Sequence, residues 1–207
     1  MPKGSPERTA ARREEIIKAC EKLYKTMSFR EITLKDIGRE TSFSRPAIYN
    51  YFQTKEEIFL ALYELEYDRW NGDLEGILEE NDSLTAEEIA DKIARSLEKR
   101  EQLLKLLSMN NYDMEENSRP ERLASFKASY GKSIKLVREI LEKFCQGMSG
   151  ADIEHFIYTF YPFMFGIYPY TSVSEKQKNA MKEAGISFAY QSVYELTYGC
   201  LIRLLGE

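Results

Sequence analysis

The stretch "TLKDIGRETSFSRPAIYNYFQTKEEIFLAL" (residues 33–62) decides the fold. Thr33 and Asp36 have the spacing of a capping box, in which a hydroxyl and a carboxylate satisfy backbone N–H groups at a helix start. Ser44 and Pro46 predict a second start, because Ser is a favoured N-cap and Pro is tolerated in the first turn. Two short helices joined by the turn "TSFS" form the pattern of a helix-turn-helix.

The second of these helices has two unlike faces. At about 100° per residue, Ile48 and Phe52 point inward. The opposite face shows Arg45, Pro46, Tyr49 and Asn50, with Tyr51 at the boundary and Ala47 on the inner side. The second helix of a helix-turn-helix enters the major groove of DNA. Arg45 stands where its guanidinium can fork onto a guanine edge, whereas Asn50 either reads a base or is solvated.

Another helix follows immediately. Thr54 and Glu57 form the pattern of another capping box, and they predict a fourth helix from Lys55 to about residue 78. A lysine beside the positive end of the helix dipole is disfavoured by about 0.3–1 kcal/mol unless an anion lies nearby. A DNA phosphate is such an anion. We therefore predict phosphate contacts from Tyr49, Tyr51, Lys55 and the capped helix starts at Thr33 and Thr54.

Composition restricts the class of protein. The chain has 207 residues, 43% of them hydrophobic, and nearly every segment has the three-to-four spacing of helices. The fold is therefore predicted to be all-α. The start of the chain lacks the apolar region of a secretory signal, and no run reaches the roughly 20 apolar residues of a membrane span. The three cysteines are far apart, which fits neither a disulfide framework nor a CxxC motif, and a reducing cytoplasm is the expected compartment.

Charge is distributed unevenly along the chain. The formal net charge is −5, yet residues 1–60 carry 12 Lys and Arg against 9 Asp and Glu, whereas the remainder carries 17 against 25. A basic first part and an acidic second part face different partners. Arg8, Arg12 and Arg13 near the start of the first helix form either a solvated face or further phosphate contacts.

The run from Ile32 to Leu62 resembles the DNA-binding domain of the TetR family of bacterial transcriptional regulators, including its hydrophobic-Tyr-x-Tyr-Phe-x-x-Lys-Glu pattern. The resemblance covers about residues 8–65. It implies a DNA-binding domain at 1–60 and a helical effector-binding and dimerisation domain at 61–207. It also places base recognition on Ser44, Arg45, Pro46, Ala47 and Tyr49, and phosphate contacts on Thr33, Tyr49, Tyr51 and Lys55.

The second domain is predicted to hold about five further helices, because it is divided by glycines and by capping-box patterns at Thr85 with Glu88 and at Ser149 with Asp152. The resemblance implies a two-fold dimer through the last two long helices, at about 151–168 and 187–205. Their aromatic residues are the predicted interface: Phe156, Phe160, Phe163, Tyr190, Tyr194 and Tyr198. A cavity for a small hydrophobic or aromatic effector is predicted among the middle helices, lined by Trp70, Met109, Tyr112, Phe126 and Tyr130.

These features lead to a predicted function. We expect a dimeric regulator that binds a palindromic DNA operator and acts as a repressor released by a small-molecule effector. The alternative is the same DNA-binding head acting as an activator or through a protein partner, without a ligand. An enzyme is not expected, because the chain has no Gly-rich phosphate loop, no GxSxG elbow and only one histidine, His155. Neither a metal nor a cofactor is expected.

Overall fold

The structure is a computed structural model that describes residues 5–109 and 111–206. These residues form helices and no strands, which confirms the all-α prediction. The helices are α1 (Pro6–Tyr24), α2 (Leu34–Arg39), α3 (Arg45–Ile48), α4 (Lys55–Glu79), α5 (Ala86–Glu98), α6 (Glu101–Leu107), α7 (Asn111–Glu116), α8 (Pro120–Phe144), α9 (Gly150–Thr171), α10 (Glu175–Glu183) and α11 (Val193–Leu204).

The described chain divides into two compact units. The head unit contains residues 5–66 and 111–130, and the body unit contains residues 67–109 and 131–206. The head unit thus includes α7 and the first part of α8, although these helices begin about 50 residues after its first segment ends. The predicted boundary at residue 60 does not include this second segment. Within the described residues seven helices, rather than about five, follow α4.

The head unit is built around the buried side of α1. Ile16, Cys20 and Tyr24 are spaced four residues apart and are buried, because this spacing places them on one face of the helix. Tyr24 meets the ring of Phe59 edge-on at 5.2 Å, and Phe29 approaches Phe59 at 4.8 Å. These contacts pack the first helix against α4 and support α2 and α3.

Several predicted helix starts are confirmed. Capping boxes form at Thr33, Thr85 and Ser149, each with an acidic residue three positions later. A further capping box at Ser192 was not predicted, and it starts α11 at Val193 instead of about residue 187. At Thr54 only half of the predicted box forms. The Thr54 hydroxyl accepts from the Glu57 N–H, but the Glu57 carboxylate accepts from Gln53.

The body unit has a tightly packed core of helices. Helix α5 packs against α11, and α6 packs against α9. Trp70 is fully buried, and its indole N–H donates to the Ser96 hydroxyl at 2.9 Å. The Tyr161 hydroxyl donates to Ser133 at 2.9 Å. Helix α9 continues through two prolines, and within the described residues no helix combines the length and apolarity that crossing a membrane requires.

Candidate nucleic-acid interface

Helices α2 and α3 cross closely and form the predicted helix-turn-helix. A Cβ atom placed on Gly38 of α2 would lie 3.3 Å from the Cβ of Arg45, so the crossing leaves no room for a side chain. The turn is held by hydrogen bonds: the Thr41 hydroxyl donates to the Gly38 carbonyl at 3.0 Å. The Ser42 hydroxyl donates to Glu15 of α1 at 3.1 Å. Nothing near Glu15 in the sequence indicates this contact, because Ser42 lies 27 residues away.

Helix α3 begins at Arg45, as predicted, but Ser44 does not cap it with its side chain. Ser44 has the extended backbone of an N-cap residue and makes no side-chain capping bond, which corrects that part of the prediction. The helix is four residues long, and a turn extends it: the Tyr51 N–H donates to the Ile48 carbonyl at 2.8 Å. Ile48 and Phe52 are fully buried, which matches the predicted inner face.

The outer face of α3 carries most of the predicted DNA-contacting residues. Ser44, Arg45, Pro46, Tyr49 and Asn50 are exposed, and Ala47 is partly buried. A guanidinium nitrogen of Arg45 lies 3.4 Å from the Tyr49 hydroxyl and donates to it. Tyr49 is 48% exposed. Arg45, which is predicted to contact a base, and Tyr49, which is predicted to contact a phosphate, therefore lie side by side on the outer surface of the helix.

The start of α2 presents a second exposed group beside this face. Thr33 is exposed, and its hydroxyl donates to the Asp36 carboxylate and accepts from the Asp36 N–H. The hydrogen bond from the Thr33 hydroxyl holds the pKa of Asp36 below its ordinary value. This carboxylate keeps its negative charge and occupies the cap. An anion that approaches Thr33 can therefore bind only to groups that the capping box does not already use.

Two predicted phosphate ligands make contacts within the protein. Tyr51 is only 8% exposed, and its ring lies 6.3 Å from that of Phe43. The Lys55 ammonium donates to the Phe29 carbonyl at 2.7 Å and lies 4.0 Å from the centre of the Phe29 ring. Burial lowers the pKa of Lys55. The positive charge at the start of α4 therefore has an acceptor inside the protein, and the phosphate contact of Lys55 stays a prediction.

The arginines at the start of α1 have different surroundings. Arg12 lies over the ring of Phe43 at 5.5 Å. Arg13 lies over the ring of Phe52 at 5.6 Å and forms an ion pair with Glu64 at 3.7 Å. Arg8 is exposed. Arg13 is thus committed to contacts within the head unit.

A buried carboxylate below α3 was not identified from the sequence. Glu57 is fully buried and accepts the Gln53 N–H at 2.8 Å and a guanidinium nitrogen of Arg119 at 2.8 Å, while the Arg119 Nε donates to its other oxygen. Burial alone would raise the pKa of Glu57, but the hydrogen bonds from Arg119 and Gln53 hold it below its ordinary value. Arg119 is 62 residues away in sequence, and no local signal connects the two.

The predicted effector-pocket residues are not assembled within either unit. Trp70 and Met109 belong to the body unit, whereas Tyr112, Phe126 and Tyr130 belong to the head unit. Phe126 packs between Tyr130 and the unpredicted Tyr63, with ring centres 6.4 and 5.1 Å apart. Tyr112 is 77% exposed, so it does not line an enclosed cavity. The predicted pocket stays a prediction, since its residues are divided between the two units.

The predicted dimer residues also divide between core and surface. Phe156 and Phe160 are buried inside the protomer and pack on each other at 5.6 Å, so they are core residues rather than interface residues. The Tyr194 hydroxyl donates to Asp91 of α5 at 2.7 Å, and the Tyr198 ring stacks on Tyr194 at 5.7 Å. Both are partly buried within one protomer, as is Phe163, and the hydrogen bond from Tyr194 holds the pKa of Asp91 low.

Tyr190, the remaining predicted interface residue, is exposed and lines a cavity of about 320 Å³ in the body unit. The cavity lies where the end of α9, α10 and the segment before α11 meet. Phe188 connects the ring of Tyr170, at 6.2 Å, to that of Tyr190, at 5.2 Å. Met181 and Val173 complete the apolar lining.

A helix-turn-helix unit with an exposed recognition face, followed by an all-helical body, defines a class of DNA-binding transcriptional regulators. Residues 16–62 match the bacterial regulatory proteins of the tetR family, and residues 64–199 match the tetracyclin repressor-like C-terminal domain. The chain therefore belongs to the TetR family of transcriptional regulators.

Individual relatives are more distant. The uncharacterized HTH-type transcriptional regulator YfiR of Bacillus subtilis (strain 168) is 36% identical over 67 residues, which are 32% of this chain and 33% of that protein. A TetR/AcrR-family regulator from Thermobifida fusca has a TM-score of 0.62 and 18% identity, covering 95% of this chain and 97% of its own. Thermus thermophilus FadR, a TetR-family repressor in complex with lauroyl-CoA, has a TM-score of 0.58 and 20% identity, covering 94% and 93%. The two structures share the fold of this chain.

Proposed function

We propose that the protein is a dimeric repressor in the cytoplasm that binds a palindromic DNA operator and is released by a small-molecule effector. The observation that carries the DNA-binding part is the outer face of α3, where Arg45 and Tyr49 are exposed side by side. The opposite face, formed by Ile48 and Phe52, is fully buried. A helix anchored on one face and polar on the other can enter a groove while its packing on the core stays intact.

In this proposal the exposed residues have separate tasks. Arg45 donates to a guanine edge and supplies sequence specificity. Tyr49 and Thr33 contact phosphates, with Ser44, Pro46, Ala47 and Asn50 completing the surface against the groove. Tyr51 contributes through the small exposed part of its side chain. Lys55 uses one donor for the Phe29 carbonyl, and the remaining donors of its ammonium are directed to a phosphate.

Dimerisation is proposed through an uncharged face of α9 that differs from the predicted one. Tyr158, Pro162 and Gly166 are spaced four residues apart and are exposed, and Tyr158 is 76% exposed. The sequence from Phe156 to Thr171 contains no charged residue. An exposed helix face of this length without charge is typical of an interface. A second copy of the chain is the proposed occupant, because a palindromic operator requires two heads related by two-fold symmetry.

The effector is proposed to be an apolar small molecule bound by the body. Support comes from Thermus thermophilus FadR, which shares the fold and has been solved with lauroyl-CoA. Acyl-CoA esters of different chain lengths are therefore the first compounds to test. Helix α4 contributes residues to both units and is the proposed carrier of the signal.

The DNA-binding part is tested by selecting duplexes from a random library with the full-length protein. We expect enrichment of a palindrome whose half-sites are separated by about 34 Å or a multiple of it. Sedimentation of the protein with the selected duplex should show two chains per duplex. Enrichment of no sequence, or of sites bound by one chain alone, would contradict the proposal.

The effector part is tested separately by thermal shift. A compound that binds only the native state raises the melting temperature by mass action. Any compound that does so is then added to the operator complex, where we expect the operator affinity to fall by about 5- to 150-fold. A compound that binds tightly and leaves the operator affinity unchanged would favour the alternative function, in which the head acts as an activator or through a protein partner.

A further inference from the structure

The segment between α3 and α4 is held by residues that come from the start of α8. We name residues 51–57 the α3–α4 junction and residues 117–122 the α8 entry. The Thr54 hydroxyl donates to the Asn117 carbonyl at 2.9 Å, and a guanidinium nitrogen of Arg122 donates to the Tyr51 carbonyl at 3.3 Å. Both belong to the head unit, together with the Glu57–Arg119 pair.

The Glu57–Arg119 pair is the centre of this contact. Arg119 donates to the Glu57 carboxylate from its backbone N–H at 3.2 Å and from two nitrogens of its guanidinium. The same carboxylate accepts the backbone N–H of Gln53. One buried side chain therefore connects the backbone just after the recognition helix to the α8 entry. A paired guanidinium and carboxylate in this forked geometry are more rigid than a single hydrogen bond.

Helix α3 needs such support, because a helix of four residues does not hold its shape alone. Its inner face is anchored by Phe52, whose ring is contacted by the guanidinium groups of Arg13 and Arg122, each 5.6 Å from the ring centre. Arg122 thus contacts both the backbone and the ring at the end of the recognition segment. The α8 entry supplies two of the groups that determine where α3 is presented.

The docked arrangement also contains groups that the contact does not satisfy. The Ser118 hydroxyl and the Nε atoms of Arg122 and Arg13 are buried without a hydrogen-bond partner in the described protein. Such groups reduce the free energy gained by docking. Withdrawal of Arg119 would in turn leave Glu57 as a buried, unpaired carboxylate, which a protein avoids by rearranging around it. The docked contact is therefore less stable than one in which every buried polar group has a partner.

We propose that Arg119, acting through Glu57, is a positioning residue for DNA recognition, and that the α8 entry is a regulatory element whose release lowers operator affinity. Arg119 does not contact DNA in this mechanism. Its docking orders the α3–α4 junction, and the ordered junction presents Arg45 and Tyr49. A ligand or partner that displaces the α8 entry would then weaken operator binding. This inference rests on the proposed function, since it assigns regulation to the same DNA-binding face.

The first measurement is hydrogen–deuterium exchange in the full-length protein without DNA. Arg119→Gln should raise exchange by about tenfold in residues 49–57, while α1 and the body unit keep the wild-type rate. Arg138→Gln is the matched control, because Arg138 forms an ion pair with Glu154 at 2.6 Å in the body unit. Wild-type exchange in residues 49–57 of Arg119→Gln, or an equal rise throughout the head unit, would overturn the positioning role.

The second measurement is binding to the duplex selected by the wild-type protein and to random DNA. For Arg119→Gln we expect the affinity for the selected duplex to fall by about tenfold. The affinity for random DNA should change little, and the dependence of binding on salt concentration should stay the same. Arg119→Lys, which keeps the charge but not the fork, should lose less. The double variant Glu57→Gln/Arg119→Gln should bind more tightly than Arg119→Gln, because it leaves no unpaired buried charge.

Other outcomes of the binding experiment contradict the inference. A salt slope lower by about one would make Arg119 a phosphate ligand, and parallel losses on both duplexes would make its role merely structural. If the losses of affinity from the two substitutions simply add in the double variant, Arg119 does not act through Glu57. If the wild-type protein selects no duplex, the proposed function fails, and the exchange experiment still decides whether Arg119 orders the junction.

Discussion

Gly38 of α2 lies directly against Arg45 of α3, since a Cβ atom on Gly38 would lie 3.3 Å from the Cβ of Arg45 and 3.4 Å from its Cα. Most Cβ atoms in proteins keep a greater distance from their neighbours, so a side chain at residue 38 requires α3 to move. The position of α3 therefore depends on the absence of a side chain at Gly38. The spacing of the two helices is part of the DNA-binding surface.

Gly38→Ala should lower the affinity for DNA and leave the stability of the fold nearly unchanged. Alanine favours a helix over glycine by about 1 kcal/mol, which offsets part of the strain, so we expect the melting temperature to change little. Operator affinity should fall by about tenfold or more, because α3 is displaced in both heads of the dimer. Fluorescence anisotropy with the selected duplex measures the loss. Gly131→Ala, at an exposed position of α8 with open space around it, is the control and should raise stability without changing affinity.

Arg45→Ala should relax specificity. Loss of a forked contact to guanine costs about 1–3 kcal/mol and removes the preference at one position of each half-site. Binding to the selected duplex and to duplexes changed at single positions measures both effects. Equal losses on selected and random DNA would contradict a base-reading role.

Lys55→Met should act differently, because a phosphate contact is independent of sequence. We expect similar losses on all duplexes and a salt slope that falls by about one for each phosphate that the variant no longer binds. The methionine removes the charge that now lies over the Phe29 ring and keeps an apolar chain beside that ring. An unchanged salt slope would show that the ammonium serves only the Phe29 carbonyl.

Glu57 should make the head sensitive to acid. The pKa of its carboxyl is lowered in the folded protein relative to an ordinary value of 4.5, so the unfolded chain takes up the proton more readily. The stabilisation is present above about pH 4.5 and is lost as the pH falls through the folded pKa. Urea unfolding between pH 3 and 7, followed by helical circular dichroism, should show a shallower pH dependence for Glu57→Gln. The difference is at most about 1.4 kcal/mol per pH unit. Parallel curves would contradict the prediction.

Gly166→Arg should separate the dimer. Gly166 is exposed on α9 with nothing near its missing side chain, so an arginine fits the single protomer but places a charge in the proposed interface. Analytical ultracentrifugation should show a monomer with native helical content, and operator binding should be lost. Gly131→Arg places the same side chain on α8 and should remain dimeric. A dimeric Gly166→Arg protein would move the interface elsewhere.

The helices could be predicted largely because their signals are local. The capping boxes at Thr33, Thr85 and Ser149 lie within four residues of sequence, and the buried face of α1 repeats every four residues. The outer face of α3 follows from the same periodicity. Each of these features depends on neighbours along the chain and not on the packing of distant segments.

The remaining features depend on contacts that sequence spacing does not encode. Helix α9 carries apolar residues on all sides, so periodicity does not show that Phe160 faces its own core while Tyr158 faces outward. The aromatic residues predicted to share a pocket come from separate helices and belong to two different units. Arg119 pairs with Glu57 across 62 residues. Only the folded chain brings such partners together.

Glu57 and Arg119 also limit how freely this head can be exchanged between proteins. A graft of residues 1–66 onto a foreign helical body would carry the buried carboxylate of Glu57 without the arginine that neutralises it, unless the recipient supplied a cation at the start of its own α8. Recombination between related regulators should therefore preserve this ion pair when both segments are inherited together or when the recipient supplies that cation. Two segments that are separate in the gene thus contribute to one buried pair.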